Sequence, residues 1–219
     1  MKKVERMVGV LFLLSTGSFL VGSGMLNPIL HRTDLLGSMD SVRTDVLAGL
    51  LLELINAIAV VGIAVLLQPM LKKYHEAFAF GYFASRILEA AFLLMSLIGP
   101  LILLALSKQS IFAGASGESY LRTLGNLAVE AHYMLFDLAM LVLSLGSLLF
   151  CYILYQSRWV PRWLSFIGLV GYTGLLASSS LSIAGLDLGE VLYIPGAIFE
   201  IVLPIWLIVK GFDLRTEET

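Results

Sequence analysis

Apolar residues run for long stretches along this chain, stop at short polar turns and resume. An α-helix needs about 20 such residues to cross the hydrocarbon of a bilayer. The stretches lie at about Met7–Leu30, Val46–Gln68, Ala77–Leu106, Leu124–Tyr155, Arg162–Ala184 and Gly189–Gly211. Hydrocarbon admits only helices or closed barrels. Barrel strands would be about 10 residues long with strict alternation, and these runs are longer and more uniformly apolar. The pattern therefore predicts an all-α, polytopic membrane bundle: six transmembrane helices in a single domain over residues 1–219. The third and fourth stretches exceed the span of a bilayer, so they are expected to tilt, kink or project from it. Gly99-Pro100 is the expected kink in the third.

Charge then orients the bundle. The N-terminus, the turns at 69–76 and 156–162 and the tail carry Lys2, Lys3, Arg6, Lys72, Lys73, Arg158, Arg162, Lys210 and Arg215. The opposite loops carry Arg32, Arg43, Lys108 and Arg122, and the loop near Asp187 carries none. The excess of Lys and Arg marks the cytoplasmic side, so both termini are expected there. Lys2, Lys3 and Arg6 before an apolar run resemble the start of a signal peptide. No small-residue cleavage site follows, and the segment reads as a retained first helix. Only 14% of the 219 residues are charged and 58% are hydrophobic, against roughly 25% charged in soluble domains. No nucleic-acid-binding segment, Walker motif, dinucleotide fingerprint or GxSxG elbow is present.

Against this background the polar interruptions stand out. A charge in hydrocarbon costs roughly 2.5–3.5 kcal/mol even on the lenient insertion scale, so such groups face one another or a wet cavity. Glu53 and Asn56 share a face of the second stretch, as do Tyr82, Arg86 and Glu89 in the third. Glu130, Tyr133 and Asp137 align in the fourth; His132 points well away from Asp137. In the sixth, Tyr193, Ala197, Glu200 and Pro204 align, and Pro204 is expected to free the carbonyl of Glu200. Arg86 and Glu89 could be a self-satisfied staple. Four buried acids against Arg86 nonetheless leave surplus negative charge, which burial opposes unless a proton or cation is taken up. The candidate ligand- or ion-binding residues are thus Glu53, Asn56, Tyr82, Arg86, Glu89, Asp137 and Glu200. No metal site is expected, because His31 and His75 fall in loops on opposite sides and His132 has no partner.

Small residues mark packing surfaces. Gly168, Gly171, Ser178, Ser182 and Gly185 form a stripe that lets backbones approach, inside the bundle or between copies in a homo-oligomer. Ser15, Ser18 and Gly22 form a weaker one. Cys151 reads as an apolar packing residue, and as the one cysteine it excludes an intrachain disulfide. Tyr152, Tyr155, Trp159 and Trp163 around the basic turn read as an interfacial aromatic belt, with an anionic lipid head group as the alternative. A faint repetition pairs Gln68–Ala84 with Gln156–Tyr172, each a proline-containing basic turn leading to Gly-Tyr.

The stretches LLELINAIAVVGIAVLLQPMLKK (51–73), GYFASRILEA (81–90), YQSRWVPRWLS (155–165) and FEIVLPIWLIVKGF (199–212) resemble a family of bacterial membrane proteins, domain-of-unknown-function family 4386. The resemblance implies a six-helix protein of the bacterial cell membrane and carries no activity. Three functions fit the residues. The first is binding or translocation of a proton, cation or small ligand by the polar core, with Arg86 holding Glu89 ionised. The second is an intramembrane enzyme using paired carboxylates on a lipid-soluble substrate. The third is an accessory subunit docking through the small-residue stripe. No cofactor is specified.

Overall fold

The computed structural model describes residues 2–32, 34–110, 115–186 and 190–213. Asp187, Gly189 and Arg215 lie outside the described residues. Among the described residues eight helices are formed: α1 (Lys2–Leu30), α2 (Leu35–Ser38), α3 (Arg43–Tyr74), α4 (Glu76–Ser96), α5 (Ile98–Ser110), α6 (Ala115–Ser157), α7 (Arg162–Ile183) and α8 (Ile194–Val209), the last preceded by a 3-10 turn at Glu190–Tyr193. Five spans are long and apolar enough to cross a membrane, α4 and α5 counting as one, and α8 is a shorter apolar helix of 16 residues.

The helices form a closed ring. α1 packs on α3, α3 on α4, α4 on α6, α6 on α7, α7 on α8, and α8 back on α1. Successive helices are neighbours because the turns between them are short, and the last closes against the first. One buried cluster draws on all six: Val8 and Phe12 from α1, Leu67 from α3, Tyr82 from α4, Phe150 and Cys151 from α6, Tyr172 from α7, and Phe199 and Leu203 from α8. The outer surface is also apolar, with Val10, Leu20, Leu51, Ile58, Leu88, Phe166 and Ile205 all exposed. A ring apolar outside with its acids turned inward suits hydrocarbon, since lipid tails accept Leu as readily as a core does.

The first turn of α1 and residues 212–213 meet at one end of the ring. Glu5 in the first turn of α1 is buried and accepts from the Phe212 N–H at 3.3 Å. The Asp213 N–H donates to the Trp159 carbonyl in the α6–α7 turn at 2.9 Å. Arg158 there adopts φ 55°. This turns Trp159 inward, where it is 1% exposed between Tyr74 and Phe212, 6.2 and 5.4 Å away by ring centroid. The expectation of an interfacial belt is corrected at this residue: Trp159 plugs the bundle end, because the left-handed turn carries it under the chain. Tyr152 and Trp163 remain exposed as a belt requires.

At the other end, α6 continues past its neighbours. Its 43 residues make a helix about 65 Å long, about twice the ~30 Å hydrocarbon core. α2 and α5 fold against it there, burying Leu36, Met39, Leu103 and Leu121 with the ends of α1 and α3. The third span breaks at Leu97, just before Gly99-Pro100. A Cβ at Gly99 would stand 2.9 Å from the His132 Cβ, so glycine allows α5 to lie on α6.

Candidate functional site

Arg86 is the centre of the site. It sits on α4, 4% exposed, and its Nη1 donates to both carboxylate oxygens of Glu89 at 3.2 and 3.0 Å. One helical turn the other way, the Tyr82 hydroxyl oxygen accepts from Nε at 3.2 Å. The spacing i, i+4, i+7 places all three on the inner face of one helix. The guanidinium also lies 5.3 Å from the Tyr82 ring and 5.9 Å from the Phe12 ring of α1, in the range of a cation–π contact. Such a planar, weakly hydrated cation is well suited to burial among rings and carboxylates.

The remaining donor of Arg86 leads to other helices. Its Nη2 contacts the Ser147 hydroxyl of α6 at 3.5 Å, and Ser147 is also within polar reach of Tyr172 of α7. Tyr172, itself buried, donates to Glu200 of α8 at 3.0 Å. Glu200 is within electrostatic reach of both Arg86 and Glu89. A row of polar side chains thus runs Glu89–Arg86–Ser147–Tyr172–Glu200 across four helices, from buried Glu89 to part-buried Glu200.

The other sequence candidates separate from this chain. Glu53 and Asn56 share a face of α3 but turn toward α1, where Asn56 Oδ1 accepts from Ser15 at 2.6 Å. Asp137 accepts from Ser182 at 2.7 Å, tying α6 to α7. Tyr133 turns to α1, donating to Asn27 at 3.2 Å, and Glu130 is exposed. The shared face of Glu130, Tyr133 and Asp137 thus serves three surroundings. α8 continues through Pro204 to Val209 without a break. His132 serves the α4–α5 break, its Nδ1 standing 2.8 Å from the Ser96 carbonyl.

The small-residue stripe of α7 faces its own chain. A Cβ at Gly168 would meet Cys151 Sγ at 2.6 Å and the Phe199 ring at 2.8 Å, and one at Gly171 would meet Gly196 Cα at 2.6 Å. Ser178 is buried and Ser182 bonds Asp137. Intrachain packing thus accounts for Gly168, Gly171, Ser178 and Ser182, whereas a Cβ at exposed Gly185 would meet nothing within 4 Å.

Two residues of the centre escaped the sequence reading. Ser147 carries no charge, and its signal was the run Ser144, Ser147, Cys151 on one face of α6. Phe12 could not be told from any other apolar residue of α1. Tyr172 was flagged only by the faint Gly-Tyr repetition, and both tyrosines so paired reach the same centre, 0% and 1% exposed.

No curated protein and no solved structure matched the chain. A family model, Domain of unknown function (DUF4386), matches residues 7–211. That match covers nearly the whole ring and every residue of the Arg86 centre. This integral membrane protein, a multi-pass helical bundle, belongs to the DUF4386 family.

Proposed function

We propose that the Arg86 centre binds a proton and passes it within the membrane, in a bacterial cell membrane with both termini in the cytoplasm. One observation carries the reading. Two carboxylates from different helices face one guanidinium: Glu89 pairs with it directly, and part-buried Glu200 acts on it from α8. Ionised together they would leave a net negative charge in hydrocarbon, where an uncompensated ion costs several kcal/mol. A proton on one of them removes that charge. Glu89 is held by two charge-assisted bonds, so Glu200 is the acid that takes it up, with the Tyr172 hydroxyl orienting its carboxyl.

The chain Arg86–Ser147–Tyr172 couples the two acids, so a proton arriving at Glu200 changes the field at Glu89. Among the described residues no three His, Cys, Asp or Glu side chains come together as a metal set, which favours a proton over a divalent ion. The cytoplasmic placement of the termini rests on Lys2, Arg6, Lys72, Lys73, Arg158 and Lys210, which gather at the end where the first turn of α1 meets residues 212–213.

The test is proton uptake into liposomes loaded with a pH-sensitive dye under an imposed potential. The wild-type chain is expected to exceed empty liposomes, and Glu200→Gln to abolish the excess while remaining folded. Uptake by Glu200→Gln equal to that of the wild type would sink the reading.

A further inference from the structure

The Arg86 centre leaves unused a deeply buried acid in the middle of an apolar span. Glu53 on α3 is 4% exposed. Among the described residues it has neither a hydrogen bond nor an ion pair. On α1 it lies across Gly22, its Cγ 3.1 Å from where a Cβ would stand. Gly49, one turn earlier on α3, stands 3.2 Å from the Gly22 carbonyl by the same measure. The two glycines bring α1 and α3 together directly beside the carboxyl group. On α6, Tyr133 is the titratable group within electrostatic reach, and its hydroxyl lies 3.2 Å from both Asn27 Oδ1 and the Nδ1 of exposed His31. Among the described residues no charged side chain of α1, α4, α5 or α6 acts on Glu53.

A carboxylate in that position would lack both water and a counter-ion, the costliest state for a buried charge. A hard metal cation collects about six or more oxygens. Here the donors are the two oxygens of Glu53 and the Tyr133 hydroxyl, while Asn56 Oδ1 already accepts from Ser15. The group that fits a lone carboxyl against a tight glycine crossing is a hydrogen.

We propose that Glu53 is a second proton-binding site, separate from the Arg86 centre, whose bound proton allows α1 and α3 to close at Gly22 and Gly49. Binding forms one O–H bond on the carboxyl oxygen, and release returns that proton to water without oxidation or reduction. Ionised Glu53 would draw water or a cation between α1 and α3, so the site acts as a latch on that helix pair.

Infrared spectroscopy of the full chain in vesicles at neutral pH distinguishes a protonated carboxyl, by its C=O band, from a carboxylate. The band is expected to lose a component in Glu53→Gln, to shift in Glu53→Asp, and to keep the Glu53 component in Glu200→Gln. Glu53→Gln should melt at the wild-type temperature, because a neutral amide replaces a neutral acid; where it fails to fold, the Glu53→Asp shift is the readout. A band unchanged in both Glu53 variants overturns the site. A Glu53 component that vanishes on adding sodium or tetramethylammonium assigns it to a cation and overturns the proton. Failure of proton uptake through Glu200 leaves this spectrum untouched, so the two readings fall separately.

Discussion

His132 Nδ1 stands 2.8 Å from the carbonyl oxygen of Ser96. That carbonyl is the one whose helical donor would be residue 100, and Pro100 has no N–H to give. The histidine of α6 thus replaces the backbone bond that the α4–α5 break removes. It also fixes Nδ1 as the protonated nitrogen, because a carbonyl can only accept. A residue that could pass for a ligand is a structural donor.

Removing His132 should therefore leave a buried carbonyl unsatisfied, at a cost of about 1–3 kcal/mol. His132→Leu is expected to lower the unfolding midpoint in detergent, and Pro100→Ala, by restoring an N–H, to reduce that loss. A double-mutant cycle with no coupling between positions 100 and 132 would contradict the assignment.

The ion pair Arg86–Glu89 makes a sharper prediction. Its side chains are 5% and 3% exposed, and breaking a buried pair from one side costs about 3–5 kcal/mol because a naked charge remains. Glu89→Gln is expected to pay less than Arg86→Met, since Glu200 can still face the guanidinium whereas loss of Arg86 strands two acids. Chemical unfolding of the two variants in mixed micelles measures the order.

Gly171 and Gly17 separate close packing from helix propensity. A Cβ at Gly171 would press on the backbone of Gly196, whereas at Gly17 it would meet nothing within 4 Å. Gly171→Ala should destabilise by about 1–3 kcal/mol through overpacking, and larger side chains more. Gly17→Ala should be neutral or stabilising by up to about 1 kcal/mol, the helix cost of glycine. Thermal melts of both variants test the pair.

The two tryptophans around the basic turn should respond oppositely to lipid. Trp163 is 53% exposed and Trp159 is 1% exposed. Brominated lipid is expected to quench Trp163 and spare Trp159 in single-tryptophan variants. Trp159→Ala should cost about 3–5 kcal/mol, as for a buried aromatic, and Trp163→Ala far less. Equal quenching would place Trp159 at the interface after all.

Much of this protein could be read without coordinates, because hydrocarbon is a strict solvent. Long apolar runs can cross it only as helices, and each mid-run charge is conspicuous by its cost. The helical bundle, the Arg86–Glu89 pair and the break by Pro100 all follow from local rules of length, spacing and backbone donors. Which acids share a pocket does not, since a helix face says where a side chain starts and not which helix it meets. Glu200 joined Arg86 only because α8 closes the ring on α1 and packs against α7, bringing Tyr172 between them. Glu53 and Asp137 were equally acidic candidates and were turned to other neighbours. The inward rotation of Trp159 depended on one left-handed residue, Arg158, and on contacts to Trp159 from Phe212 and Asp213. Sequence alone determined the solvent and the elements; the closing of the ring decided the partners.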